Sequence, residues 1–219
     1  ATITMYFSAR LDKPADSFGT FVKETVQKNN REIEGIGAGA YLTYNTQDNE
    51  LITAKVGLSY TSVDNARLNR ETETRQDQMD FDEAREISRS TWEEYLGRMR
   101  VETPVKEDKI KFYTGLYHAL LGRGIANDIN GQYIRHDKTI GQIPLDKNGI
   151  PLYSHHNTDG MWGGFWNLTQ IWTLAYPEIF SSYIKSNLDF FENSGWLHDG
   201  EAAGVYTNGV QTNFQGLII

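Results

Sequence analysis

The sequence predicts an α+β fold in two parts: a β-rich stretch over residues 1–61 and a helical stretch from residue 62 onwards. Three observations carry that expectation. At the N-terminus Thr2, Thr4, Tyr6 and Ser8 alternate with Ile3, Met5, Phe7 and Ala9, which is the period of a strand. Beyond residue 61 the period becomes helical. It is clearest in Lys106–Gly122, where Ile110, Tyr113, Leu116, Tyr117, Leu120 and Leu121 share one face. Helices then recur in pairs joined by long loops, the pattern of an α/α toroid.

Each element has its own justification. After the first strand, Phe18–Gln27 reads as a second, ending at the polar turn Lys28-Asn-Asn-Arg31. Gly37–Tyr44 and Glu50–Thr61 follow, with Asn45–Asn49 as the turn between them. Successive antiparallel strands of this length suggest part of a β-sandwich. Ser62–Glu73 has helical composition behind a Ser cap, and Asp80 with Glu83 three residues on resembles a capping box. That second helix places Trp92, Tyr95, Leu96 and Met99 on one face, and Pro104 marks its far boundary. Asn127–Asn157 is rich in Gly, Pro, Asn and Asp, with a short strand at Gln132–Arg135 as part of a hairpin or insertion. Helices resume at Trp162–Ala175 and at Pro177–Glu192, where Pro177 suits a first turn. Gly195–Glu201 reads as a loop, and Val210–Ile219 as the start of another helix. No short-period repeat is present. The N-terminus reads as a strand already under way and the C-terminus as an apolar run without a stop signal. A fragment of a longer, multidomain protein is therefore expected.

Composition narrows the function classes. With 39% hydrophobic and 12% aromatic residues the chain is of folded, globular type. Its net charge of −8 argues against a nucleic-acid backbone or an anionic membrane as partner. The absence of cysteine removes disulfides, thiolate metal sites and a Cys nucleophile. No apolar run approaches the length of a membrane span, and no secretory signal is visible.

The richest stretch is Asn157-Thr-Asp-Gly-Met-Trp-Gly-Gly-Phe-Trp-Asn-Leu-Thr-Gln-Ile-Trp172. Glycines let a backbone turn close to a ligand. Tryptophan offers a face to a sugar ring, and acids and amides read its hydroxyls. The cluster points to carbohydrate, although Trp166 or Trp172 taken singly reads as the core of a helix. Other constellations carry less. Asp199 and Glu201 flank Gly200 beside His198 and could act as acid and base, but spacing of this kind reads better as solvated loop charge. His155 and His156, with Asn157 and Asp159, could hold a metal, yet adjacent residues of a strand face opposite ways, and loop polarity is the simpler reading. His118 reads as a packed histidine. Asp128, Asn130 and Gly131 resemble part of a calcium loop but lack its Glu at the twelfth position, and read as a turn. There is no phosphate loop, serine elbow or zinc helix.

Taken in order, Lys55–Arg67 (Val56-Gly-Leu-Ser-Tyr-Thr-Ser-Val-Asp-Asn-Ala-Arg67), Phe81-Asp-Glu-Ala with Trp92 and Leu96-Gly97, and Phe112-Tyr-Thr-Gly-Leu-Tyr-His-Ala-Leu-Leu121 resemble glycoside hydrolase family 92. These are calcium-dependent exo-α-mannosidases that join a β-sandwich to an (α/α)6 toroid and invert configuration. The resemblance runs through nearly the whole chain. It implies the C-terminal part of the sandwich in 1–61, linker helices in 62–104 and the first helices of the toroid in 105–219. It also implies that the catalytic acid, the base and the calcium ligands lie beyond Ile219, so that no catalytic or metal residue falls in this chain and the isolated fragment is inactive. The partners implied are a glycan and the rest of the same polypeptide, in a periplasmic or secreted setting. The family has a Ser-x-Trp-Asp-Thr-Tyr/Phe-Arg segment ahead of Pro-Glu. Counting back from Pro177-Glu178, Trp162 matches its Trp, while Gly163 stands in place of the Asp and Trp166 in place of the Arg. The substrate-binding candidates are thus Trp162, Asp159, Trp166 and Asn167, with Asp159 or Asn167 replacing the lost hydrogen bonds. Alternative readings are a non-catalytic carbohydrate-binding protein on the same scaffold, or a purely structural module.

Overall fold

The computed structural model describes residues 2–121, 124–158, 161–207 and 214–219. The chain divides into two compact units, residues 9–55 and residues 1–8 with 56–219. The fold is mixed α+β.

In the smaller unit the central strand β2 (Ser17–Val22) lies between β3 (Thr25–Lys28) and β4 (Ala38–Thr43), antiparallel to both. The run Phe18–Gln27, expected as one strand, is therefore two. The chain reverses at Lys23-Glu24, where Lys23 takes a left-handed φ of 52°. No Gly, Asn or Pro marked that turn in the sequence, which is why periodicity alone ran through it. The first strand is shifted too: β1 covers Tyr6–Leu11 and pairs with β5 (Ala54–Ser59), leaving residues 2–5 outside any strand.

The larger unit holds the helices. α1 (Val63–Glu73) starts where the side chain of Ser62 accepts from the Asn65 amide, and α2 (Phe81–Gly97) where Asp80 accepts from the Glu83 amide. Both caps satisfy an otherwise unpaired helix donor. The backbone of Ala66 passes so close to Gly57 that a Cβ there would sit 2.1 Å from the Ala66 carbonyl oxygen, so only glycine lets β5 run into α1 at this distance. α3 covers Lys106–Leu120. A small antiparallel hairpin follows, β6 (Gln132–Ile134) with β7 (Ile140–Gln142), in which the Tyr133 ring lies across Gly141.

The helix expected over Trp162–Ala175 is broken into α4 (Met161–Gly164) and α5 (Leu168–Ala175). Adjacent Gly163 and Gly164 have poor helix propensity and end the first piece. α6 (Pro177–Ser194) has Pro177 in its first turn and stops at Gly195, whose φ of 79° only glycine adopts freely. The loop expected over Gly195–Glu201 is a strand at its end: β8 (Gly200–Ala202) pairs with β9 (Val205–Thr207). α7 (Phe214–Ile218) is the described part of the helix expected from Val210, whose first residues lie outside the described residues.

The core joins α2, α3, α5, α6 and α7. Leu116, Trp172, Tyr176, Tyr183 and Ile218 are buried together, with Tyr95, Leu96 and Met99 of α2 packed against them. Arg98 locks α2 to α6 by pairing with Glu178 and lying over the Tyr95 and Tyr176 rings. His118, expected to be packed, is exposed on α3. It lies beside the apolar face rather than on it. Among the described residues no helix is long and apolar enough to cross a membrane.

Candidate functional site

The glycine and tryptophan segment splits its aromatic residues between core and surface. Trp172 is 1% exposed, meets Tyr183 edge-on and donates its indole N–H to the Ala119 carbonyl at 3.3 Å. Trp166, two residues before α5 begins, is 71% exposed. It touches Phe165, which in turn packs on Phe214. Asn167 is exposed at the start of α5, where its carbonyl accepts from Ile171 at 3.2 Å and its side chain makes no capping bond. Asp159 and the side chain of Trp162 lie outside the described residues. The reading of Trp166 and Trp172 as core residues thus holds for Trp172 alone. Trp166 sits in the break between α4 and α5, so helical periodicity does not govern where it points.

Beside this segment is a buried polar cluster that the sequence reading placed in solvent. His198, Asp199 and Glu201 are 2%, 5% and 3% exposed, and His155 and His156 are 3% and 5% exposed. The Glu201 carboxylate lies between two imidazoles. Its Oε1 is 3.2 Å from Nε2 of His155, and its Oε2 is 3.6 Å from Nε2 of His198. The other ring nitrogens are backed by hydroxyls: Nδ1 of His155 by Ser186 at 3.2 Å, and Nδ1 of His198 by Thr158 at 3.4 Å. Rings close the sides. Tyr133 stacks on His155 at 4.2 Å, and Phe190 meets His198 edge-on at 4.3 Å. Burial is the main influence on His198 and pushes its imidazole down to about 4, with the Glu201 and Asp199 carboxylates acting the other way. His198 is therefore neutral at pH 7. Burial, and then the bond it donates to Asp189, push the Tyr133 phenol well above its ordinary value. The neighbouring His156 points elsewhere, with Nε2 3.0 Å from Ser182 Oγ. The alternation expected of adjacent residues is real, but both faces are buried.

His156 also reaches a cavity of about 350 Å³ bounded by Trp92, Tyr95, Leu120, Ile125, Trp172 and Ile179.

A second buried carboxylate is Asp128. The turn expected there is present, with the Gly131 amide bonded to the Asp128 carbonyl at 2.8 Å. Its side chain is 3% exposed and accepts from Ser59 at 2.9 Å, from Thr61, and from Asn65 and Asn69 of α1 at 3.1 and 2.8 Å. Every partner is neutral. Among the described residues no group of three His, Cys, Asp or Glu side chains is arranged to hold a metal ion. Neither of these two carboxylates stands in an oxygen-rich set of the kind calcium takes: Asp128 meets hydroxyl and amide donors, and Glu201 lies between imidazole nitrogens.

Sequence reasoning missed Thr158, Ser182, Ser186 and Tyr133 as members of this cluster. The spacing of Ser182 and Ser186, one helical turn apart within an apolar helix, was the available signal. Nothing local marks Tyr133.

A mixed α+β fold with paired helices and an exposed tryptophan at a glycine-rich break is what these features describe. The catalytic-domain model of glycosyl hydrolase family 92 matches residues 65–218, and its N-terminal-domain model matches residues 1–59. The chain belongs to glycosyl hydrolase family 92. Among solved structures it is similar to a family 92 α-mannosidase of Bacteroides thetaiotaomicron in complex with mannoimidazole, at 22% identity and a TM-score of 0.81 over 97% of this chain and 28% of that one. A family 92 inverting mannosidase of the same organism gives 22% identity and a TM-score of 0.80, over 98% of this chain and 28% of that one. The chain spans under a third of the length of these relatives. No curated protein matches it.

Proposed function

We propose that this chain is part of a glycoside hydrolase that removes terminal α-linked sugars, with α-mannosides as the substrate class. The observation that carries the reading is the exposed Trp166 at the break between α4 and α5, in a chain that belongs to a glycoside hydrolase family. Trp166, Trp162, Asp159 and Asn167 are the residues assigned to contact the sugar. Hydrolysis would follow the inverting route, in which an acid protonates the leaving oxygen while a base activates water, the two carboxyls standing about 6.5–9.5 Å apart. Those carboxyls, and the ligands of any calcium ion, are supplied by other parts of the polypeptide. The isolated chain is then inactive. The division into a sandwich end (1–61), linker (62–104) and toroid start (105–219), and a periplasmic or secreted setting, belong to the same proposal.

The test uses the intact protein on an aryl α-mannoside, following by NMR which anomer of mannose appears first. Release of the β-anomer is expected, with loss of activity on chelation. Trp166→Ala should weaken mannoside affinity by roughly tenfold, equivalent to ~1.4 kcal/mol. No hydrolysis by the intact protein, together with retained glycan binding, would favour the second reading. That reading is a carbohydrate-binding protein without catalysis. Gly163 and Trp166, in the positions of the family's Asp and Arg, are the observation in its favour.

A further inference from the structure

We infer that Glu201 is a positioning residue for the sugar-facing segment, holding its leading end at Thr158 between two histidines. The inference rests on the proposed role of that segment. Thr158 is the described residue that leads into it, and Glu201 grips Thr158 at three points. The Thr158 amide donates to the Glu201 carbonyl at 2.7 Å, and the Glu201 amide donates to the Thr158 carbonyl at 3.1 Å and to its hydroxyl at 2.8 Å. The next residues are tied in the same way, as the Ala203 amide donates to the Asn157 side chain at 3.0 Å.

Backbone pairing alone would serve for an ordinary bridge. Here the carboxylate of the bridging residue is fully buried and faces His155 and His198. A buried polar group is costly unless it is hydrogen-bonded; the Glu201 carboxylate is within hydrogen-bond distance of His155 at 3.2 Å and lies against His198 at 3.6 Å, so it orients the first ring and packs on the second. Those rings fix the segment in turn: His155 lies three residues before Thr158 in the same chain stretch, and His198 Nδ1 is 3.4 Å from the Thr158 hydroxyl. The outer supports come from other elements. Ser186 and Phe190 are on α6, Tyr133 is on β6, and the Ser186 hydroxyl also accepts from the His156 amide at 3.0 Å. Among the described residues, the charged and titratable groups facing the cluster are Asp199 beside it, Asp189 on α6 through Tyr133, Arg135 beyond the Tyr133 ring and His136 behind Phe190. The position of Thr158 is thus set by the Glu201 backbone directly and by its carboxylate through the two histidines.

The experiment compares intact wild-type protein with Glu201→Gln and Glu201→Asp by amide hydrogen exchange and by mannoside kinetics across pH 5–8. Glu201→Gln is expected to speed exchange in the peptide from His155 through α4 by at least roughly tenfold, while peptides in α3 keep wild-type protection. KM should rise with kcat nearly unchanged, and Glu201→Asp should restore part of both. Wild-type exchange in the His155–α4 peptide of a folded Glu201→Gln protein overturns the inference, whatever the substrate proves to be. So does an equal loss of protection everywhere, which would make Glu201 a general stability residue. A wild-type protein inactive on mannosides overturns the proposed function instead, and leaves the exchange readout to decide this point.

Discussion

Asp128 and Glu201 are both buried carboxylates in the same unit, and each ties distant stretches of chain together, yet they are stabilised by different chemistry. Asp128 accepts from two hydroxyls and two amides, none of which can take up or lose a proton at ordinary pH. Glu201 faces two imidazoles, and burial pushes one of them, His198, down to about 4. The first arrangement pins the β5–α1 junction to the turn at residues 128–131. The second joins Thr158 to the strand at Glu201 beside two histidine rings. A carboxylate surrounded by neutral donors makes a permanent joint. One placed between histidines makes a joint whose strength depends on pH.

Removing Asp128 should have the largest effect. Asp128→Ala removes the shared acceptor of Ser59, Thr61, Asn65 and Asn69, and because each lost buried hydrogen bond costs about 1–3 kcal/mol, a loss of roughly 3–5 kcal/mol is expected by urea unfolding. A loss below about 1 kcal/mol would mean that water replaces the carboxylate, and the contrast with Glu201 would collapse.

Next comes the pH response of the histidine side. Unfolded His198 takes up a proton near 6.5 and the folded one only near about 4, so the unfolded state binds more protons between these values. The contribution of His198 is present above pH 6.5 and is lost as pH falls towards 4, by roughly 3 kcal/mol. Urea unfolding at stepped pH should show that slope in the wild type and a flatter profile in His198→Gln. Parallel profiles would place the acid sensitivity elsewhere.

Smaller effects sharpen the picture of the supports. Ser186→Ala removes a partner of both His155 and the His156 amide, and should cost about 1–2 kcal/mol. Tyr133→Phe keeps the ring stacked on His155 but deprives Asp189 of its donor, and should cost about 1 kcal/mol. If Tyr133→Phe proved the more damaging of the two, the hydroxyl and not the stacked ring would be the support that matters.

Local chemistry was legible in the chain. Ser62 and Asp80 as caps and Pro177 as a first turn were read correctly, because each depends on neighbours within a helical turn; of the apolar face of α3, Tyr113, Leu116 and Leu120 meet the core while Ile110 and Tyr117 are exposed. The family was legible too, since it rests on linear motifs such as Lys55–Arg67 and Phe112–Leu121. Of the candidate sugar residues, Trp166 is exposed as a contact requires, and Asp159 with the Trp162 side chain lies outside the described residues. The burial of His155, His198, Asp199 and Glu201 was not legible. Polar residues among glycines have the composition of a solvated loop, and only the approach of α6 and β6 from outside covers them.

The sequence by itself determined the change from strands to helices near residue 62, the helix caps and the family, since these follow from periodicity, short-range hydrogen bonding and contiguous motifs. Only the tertiary structure decided that Phe18–Gln27 turns at Lys23, that the Trp162–Ala175 helix breaks after Gly164, and that a loop carboxylate becomes the buried partner of two histidines. Each of those outcomes depends on groups far apart in the chain. Burial and charge pairing are set by what folding brings alongside a residue, and its sequence neighbours carry no record of that.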